Sequence, residues 1–178
     1  VDGVERAIRG ATALGSTRAT AADLEFAARQ LVEVAVRALS PGINDPHTAI
    51  SVLDRLGASL CEVVERRLYS GVFLREGKPA LVVPSVDYDG LLDAMFHLIR
   101  QNAAGQVTVL VRLLEVIAAV RSCEPDAERR AALQRHADLV LQDAQRADFN
   151  RTDLDDVIQR HTASRETQVA QPSRQSAQ

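Results

Sequence analysis

Over most of the chain the apolar residues recur every three to four positions, the period of helices with one buried face. Val4, Ala7, Ile8 and Ala11 have this spacing, but Gly10 and then Gly15-Ser16-Thr17 shorten the helix and lead into a loop. Thr20 with Asp23 has the spacing of a capping box and opens a predicted helix to about Ser40. Its stripe is Leu24, Ala27, Leu31, Val34, Ala35 and Leu39, widened by Ala28, Val32 and Val36, which predicts burial on two sides. On the opposite face Glu25, Arg29, Glu33 and Arg37 alternate in sign every fourth residue. They form a ladder worth about 0.3 kcal/mol per pair, unless the two arginines face a ligand. A second long helix is predicted from Pro46 to about Tyr69, with Ile50, Leu53, Leu56, Leu60, Val63 and Val64 inward. Gly57 in its middle costs roughly 1 kcal/mol relative to Ala, a cost compatible with close helix approach.

The period then changes. Val72-Phe73-Leu74 and Ala80-Leu81-Val82-Val83 flank Arg75-Glu76-Gly77-Lys78-Pro79, a predicted β-hairpin at about 72–83. A lone hairpin is marginal, so it should lie on the helices or pair with a strand from elsewhere. Pro84 ends it, and Ser85 or Asp87 can cap a helix to about Asn102 with Leu91, Leu92, Met95, Leu98 and Ile99 inward. Asp89, Asp93 and His97 line the opposite face, but a single helix turned to solvent offers no fourth ligand, so no metal is expected. After Ala103-Ala104-Gly105, the helix from about Gln106 to Arg121 is apolar nearly all round, as the central helix of a bundle should be.

Glu124-Pro125-Asp126 restarts the chain in an outer helix to about Ala147, with Leu133, Ala137, Val140 and Ala144 inward. Thr152 and Asp155 resemble another capping box, opening a short helix with Leu154, Val157 and Ile158 inward. The predicted fold is mainly α, a bundle of five to six helices with one hairpin after the second long helix. Residues 1–19 are read as a lead-in from a missing upstream region, 20–162 as the domain and 163–178 as a polar, disordered tail.

Two long helices meet at Ala38–His47. Pro41 disfavours helix at Ser40, and Pro41-Gly42 fits a type II turn with Gly42 supplying positive φ. Ile43 can then plug into the interior, Asn44 or Asp45 can cap the next helix, and Pro46 suits its first position. Free amides at a helix start can also hold an anion, and His47 could add a switchable charge. The candidate ligand-binding residues are therefore Asn44, Asp45 and His47, with Asp23, Arg29 and Arg37 as residues that could enter the same site; structural capping is the favoured account of the corner, ahead of ligand or metal binding and then catalysis.

The chain has 178 residues, 46% of them apolar, which suits one domain with a real core. Its net charge of −3 is mixed in sign without a basic stripe, aromatics are 3% and tryptophan is absent, so no nucleic-acid partner is expected. Cys61 and Cys123 are isolated thiols without C-x-x-C spacing, suggesting neither zinc nor a disulfide framework and fitting a reducing compartment. The nearest approach to a membrane span, Val107 to Val120, is too short and carries Arg112 and Glu115. Nucleotide, zinc-protease and hydrolase signatures are missing, so no cofactor and no catalytic residue is assigned.

Phe26, Arg29-Gln30-Leu31, Ala35, the unbroken run Arg37 to Pro46, Thr48-Ala49 and Leu53-Asp54-Arg55-Leu56 resemble the signature of a bacterial family of predicted membrane proteins, domain of unknown function twenty-two fifty-four. The resemblance extends to about Ile158. His47 departs from it, standing where that family usually has Phe, and Ala19, Ala22 and Ala27 replace its more typical Thr, Gln and Gly. The family has membrane-spanning helices before a soluble C-terminal region, and the start at Val1 fits a piece of such a protein. The resemblance thus implies an inner-membrane protein whose soluble part, expected on the cytoplasmic side, is this chain. The family brings no function with it. The expected role is non-enzymatic, in self-association as a homo-oligomer or in contact with a partner or with its own N-terminal membrane region; the alternative is small-ligand, anion or metal sensing at the Asn44-Asp45 corner.

Overall fold

The computed structural model describes residues 2–11, 24–64, 66, 68, 71–83 and 85–166; Thr20, Asp23, Tyr69, Pro84 and the end of the chain lie outside them. The described residues form seven helices and one two-stranded sheet: α1 (Asp2–Ala11), α2 (Leu24–Ala38), α3 (Pro46–Val63), β1 (Val72–Arg75), β2 (Lys78–Val82), α4, α5 (Val107–Cys123), α6 (Ala127–Arg146) and α7 (Arg151–Glu166). Helix α4 consists of Tyr88–Leu92, a π-helical turn Asp93–His97, and Leu98–Asn102 in succession. The fold is mainly α with one hairpin between α3 and α4, as the sequence predicts.

Helix α5 is the axis. Val109, Leu110, Leu113, Leu114, Val116, Ile117 and Val120 are buried on it, and it packs against α3, α6 and α7. Helices α2 and α3 pack together, with Ala28, Val32, Ala35, Leu53 and Leu56 buried on them, and α2 also meets α4, so its wide stripe is covered on two sides. The stripe is narrower than predicted, because Val34 is 48% exposed. Between α3 and α5 the successive contacts Asp54–Arg112 and Gly57–Val116 climb in the same order along both helices, so the two run in the same direction. A Cβ on Gly57 would stand 2.6 Å from Val116 Cγ1, which is the physical reason a glycine interrupts this helix.

Helix α3 ends at Val63, not near Tyr69. The Arg129 guanidinium donates to the carbonyls of Val64 and Arg66 at 3.3 Å each, satisfying acceptors that a longer helix would have used itself. Helix α7 starts from Asn150, whose Oδ1 accepts from the Asp153 amide at 3.0 Å, so the cap lies two residues before the predicted Thr152. It runs to Glu166, into the stretch expected to be a tail, and Ser164 is buried. Ile158, predicted inward, is 38% exposed, while Val157 is fully buried.

Within α4 the π turn admits one more residue per turn than the α period assumes. The buried face therefore rotates: Phe96, Ile99 and Arg100 are buried, and Leu98, expected inside, is 45% exposed. The hairpin pairs Val72 with Val82 and Phe73 with Leu81, slips register before Leu74, and turns through Glu76 and Gly77, both at positive φ as a tight two-residue hairpin turn requires. Every residue of both strands is exposed, so the hairpin does not lie on the helices.

Candidate functional site

The corner is built differently from the predicted turn. The Ile43 and Asn44 amides both donate to the Ser40 carbonyl, at 3.0 and 2.8 Å, and the Asp45 amide donates to Ala38 at 2.7 Å. Two amides converging on one carbonyl hold Pro41-Gly42 in a helical-type turn, so Gly42 lacks the positive φ of a type II turn and Asn44, at φ 51°, takes the left-handed position. The loop then points Ile43 outward, 61% exposed instead of plugged into the core. Ser40 Oγ bonds back to the Arg37 carbonyl at 2.7 Å.

Asp45 is the cap of α3. Its Oδ1 accepts from the Thr48 amide at 3.2 Å and its Oδ2 from the Thr48 hydroxyl at 2.6 Å, with Pro46 opening the helix. These bonds, the hydroxyl first, hold the Asp45 carboxyl below the usual carboxylate range. Asn44 Oδ1 accepts from Gln106 Nε2 at 2.8 Å, tying the corner to the residue that precedes α5. Of the other candidates, His47 is exposed in the first turn, Arg29 pairs with Glu25 at 2.7 Å, and Arg37 pairs with Glu33 at 2.8 Å. The structure thus places Asn44, Asp45 and His47 together, while the arginines are engaged along their own helix; Asp23 lies outside the described residues.

A second polar region lies inside the molecule, between α4 and α6, and its inward-facing residues are absent from the sequence reading. Arg100, 6% exposed, forms an ion pair with Asp143, and its second terminal nitrogen lies 3.4 Å from His97 Nδ1. His136 is fully buried with its ring edge-on to Phe96, centroids 5.7 Å apart. Its Nε2 is 3.2 Å from Asp93 Oδ1 without hydrogen-bond alignment, and its Nδ1 has no hydrogen-bond partner among the described residues. Burial, reinforced by Arg135, outweighs the pull of Asp93 and drives the His136 pKa down to about 4, so the ring is neutral at pH 7.

The row Asp89, Asp93, His97 is divided by these contacts. Both carboxylates face Arg135, at 3.9 and 3.2 Å, whereas His97 turns to Arg100 and to Gln101 at 3.0 Å. Among the described residues no three His, Cys, Asp or Glu side chains converge as metal ligands would.

A third cluster closes the end of the bundle. Glu124 is fully buried, accepts from the Asp126 amide at 3.0 Å, and lies 3.9 Å from Arg129. The Arg129 guanidinium stacks over Tyr88 at 4.9 Å, and burial with Glu124 alongside pushes the Tyr88 phenol well up. Nearby on α7, His161 Nε2 lies 2.7 Å from Asp138 Oδ1; burial raises the Asp138 carboxyl, but the bonds from His161 and Gln134 more than offset this and leave it lowered. The buried hydroxyl of Ser164 donates to the His161 carbonyl, so it faces backbone, not a general base. These arrangements join helices, and none sets a nucleophile against a base. A signal for His136 was present: it falls on the stripe Leu133, Ala137, Val140 of α6, where a titratable residue is out of place.

Comparison with known proteins places the chain. An uncharacterised protein of Mycobacterium bovis, and its counterparts in two strains of Mycobacterium tuberculosis, are each 33% identical to it over 159 residues. The alignment covers 89% of this chain and 30% of each relative, so the chain spans less than a third of the curated proteins that it matches. No solved structure matches. Among the described residues no helix is long and apolar enough to cross a membrane. A family model described as predicted membrane protein, DUF2254, matches residues 2–119, and with it the corner, the hairpin and α4; the chain belongs to that family.

Proposed function

We propose that this chain is an extramembrane helical domain of a bacterial membrane protein, on the cytoplasmic side, and that it acts in self-association or partner contact instead of catalysis. The observation that carries this reading is the hairpin. Val72 and Val82 share one face and Phe73 and Leu81 the other, and all four are 40 to 66% exposed, as are Leu74 and Val83. Apolar side chains exposed on both faces of a ribbon favour contact with a neighbour that would bury them. A second copy of the chain brings an identical ribbon and would bury these faces with two-fold symmetry.

Sedimentation equilibrium over a hundredfold concentration range is the test, on the chain alone and joined to its membrane region. The wild type should associate, and Phe73→Glu with Leu81→Glu should remain monomeric at unchanged melting temperature. Monomers in both forms of the wild type would remove this reading.

A further inference from the structure

A groove of about 490 Å³, lined by no residue of the corner or the hairpin, lies where α4 and α6 end. Asp93 meets Arg135 and Arg100 meets Asp143, so the two helices run in the same direction and finish together. Arg100 and Ala104 wall the groove from the end of α4, and Leu139, Asp143, Arg146 and Ala147 wall it from α6. Arg100 is there because of the π turn, whose extra residue brings it round to α6 and turns Leu98 out. Turns of this kind are frequent at functional sites.

The charges on the groove do not close among themselves. A guanidinium carries more N–H donors than one carboxylate oxygen can use. Of those on Arg100, Nη1 donates to Asp143 Oδ2 and Nη2 stands 3.4 Å from His97 Nδ1, while the buried Nε has no hydrogen-bond partner among the described residues. Arg146 is exposed and makes no ion pair among the described residues. Against these two cations stand the Asp143 carboxylate, which gives Arg100 only one of its oxygens, and the carbonyl ends of two helices, each equivalent to about half a negative charge. This balance suits a ligand with one charge of each sign, since a bare anion or cation would leave one side of the groove uncompensated. Leu139, Ala104 and Ala147 add an apolar wall beside the charges.

We propose that this groove is a binding site for a zwitterionic α-amino acid with an apolar side chain. The ligand's carboxylate pairs with Arg146 and faces the part-used guanidinium of Arg100. Its ammonium pairs with Asp143 and with the carbonyls that the last turns of α4 and α6 leave open. Its side chain lies along Leu139 and the two alanines. Binding thereby ties the ends of α4 and α6 together through charges that the two helices do not satisfy by themselves.

The test is isothermal titration calorimetry of the full chain with L-leucine, run beside 4-methylpentanoate, which lacks the ammonium, and isopentylamine, which lacks the carboxylate. L-leucine should bind at one site per chain, and each analogue at least about tenfold more weakly. Arg146→Gln should weaken leucine by about tenfold or more at an unchanged melting temperature, since that side chain is exposed. No binding of leucine up to about 10 mM, an analogue that binds as tightly as leucine, or leucine binding unchanged in the folded Arg146→Gln variant would each overturn the proposal.

Discussion

Gly57 and His136 show how single positions carry the packing of this bundle. Gly57 exists because Val116 occupies the space of its missing Cβ. Gly57→Ala recovers about 1 kcal/mol of helix propensity but must displace a stiff β-branched side chain, so a net loss of about 1 to 2 kcal/mol is expected in urea unfolding. Adding Val116→Ala removes the clash, and the double variant should lose less than the sum of the two single changes. For His136 the folded pKa of about 4 lies below the unfolded value near 6.5, so the unfolded chain binds the proton first. Its contribution is complete above pH 6.5 and is lost as the pH falls toward 4, on the order of 3 kcal/mol across that window. Urea unfolding at pH 7, 5.5 and 4.5 should show the decline, and His136→Leu should flatten it. Gly57 is legible in the sequence because a glycine inside a helix costs stability and calls for a reason. His136 is harder to read because a histidine on an otherwise alanine-rich stripe looks like the edge of a polar face.

At the scale of elements, the corner and α4 differ in how much of them can be read. Asp45 and Pro46 announce a helix start through chemistry that only a start uses, and the structure places them there. Pro41-Gly42 fits several turns equally well, and the choice is made by the Ser40 carbonyl and by Gln106, 62 residues away in sequence from the Asn44 that it holds. Asp45→Asn should lower the melting temperature while leaving the fold intact. Because the Asp45 carboxyl is held below its ordinary value, the wild type's advantage is full above the usual carboxylate range. It disappears as acid titrates the folded carboxyl, and melting curves from pH 7 to 2.5 would show the two proteins converging. In α4 the positions 91, 92, 95, 98 and 99 fit an α period so well that a π turn leaves no mark on the pattern. Arg100 is the residue whose burial betrays it, since a regular helix would turn that charge away from the core and Leu98 toward it.

For the whole molecule, the apolar order of α5 makes it recognisable as the centre before any coordinates, because only a helix surrounded by others is apolar all round. The hairpin is legible as a hairpin, but its separation from the helices is not, since exposed and buried strands of this length carry the same residues. Replacing residues 72–82 by a short glycine-serine link should leave the melting of the helical body nearly unchanged, as both strands are exposed along their whole length. Differential scanning calorimetry would record any loss.

The central helix is also late. Helices α2, α3 and α4 all precede α5 in the chain, yet the buried faces of α3 close on it. A ribosome adding about 5 to 20 residues per second leaves those faces without their partner for on the order of 10 seconds. During synthesis the face of α3 that α5 covers is therefore bare, and a chain cut short before α5 is expected to aggregate more readily than the whole one.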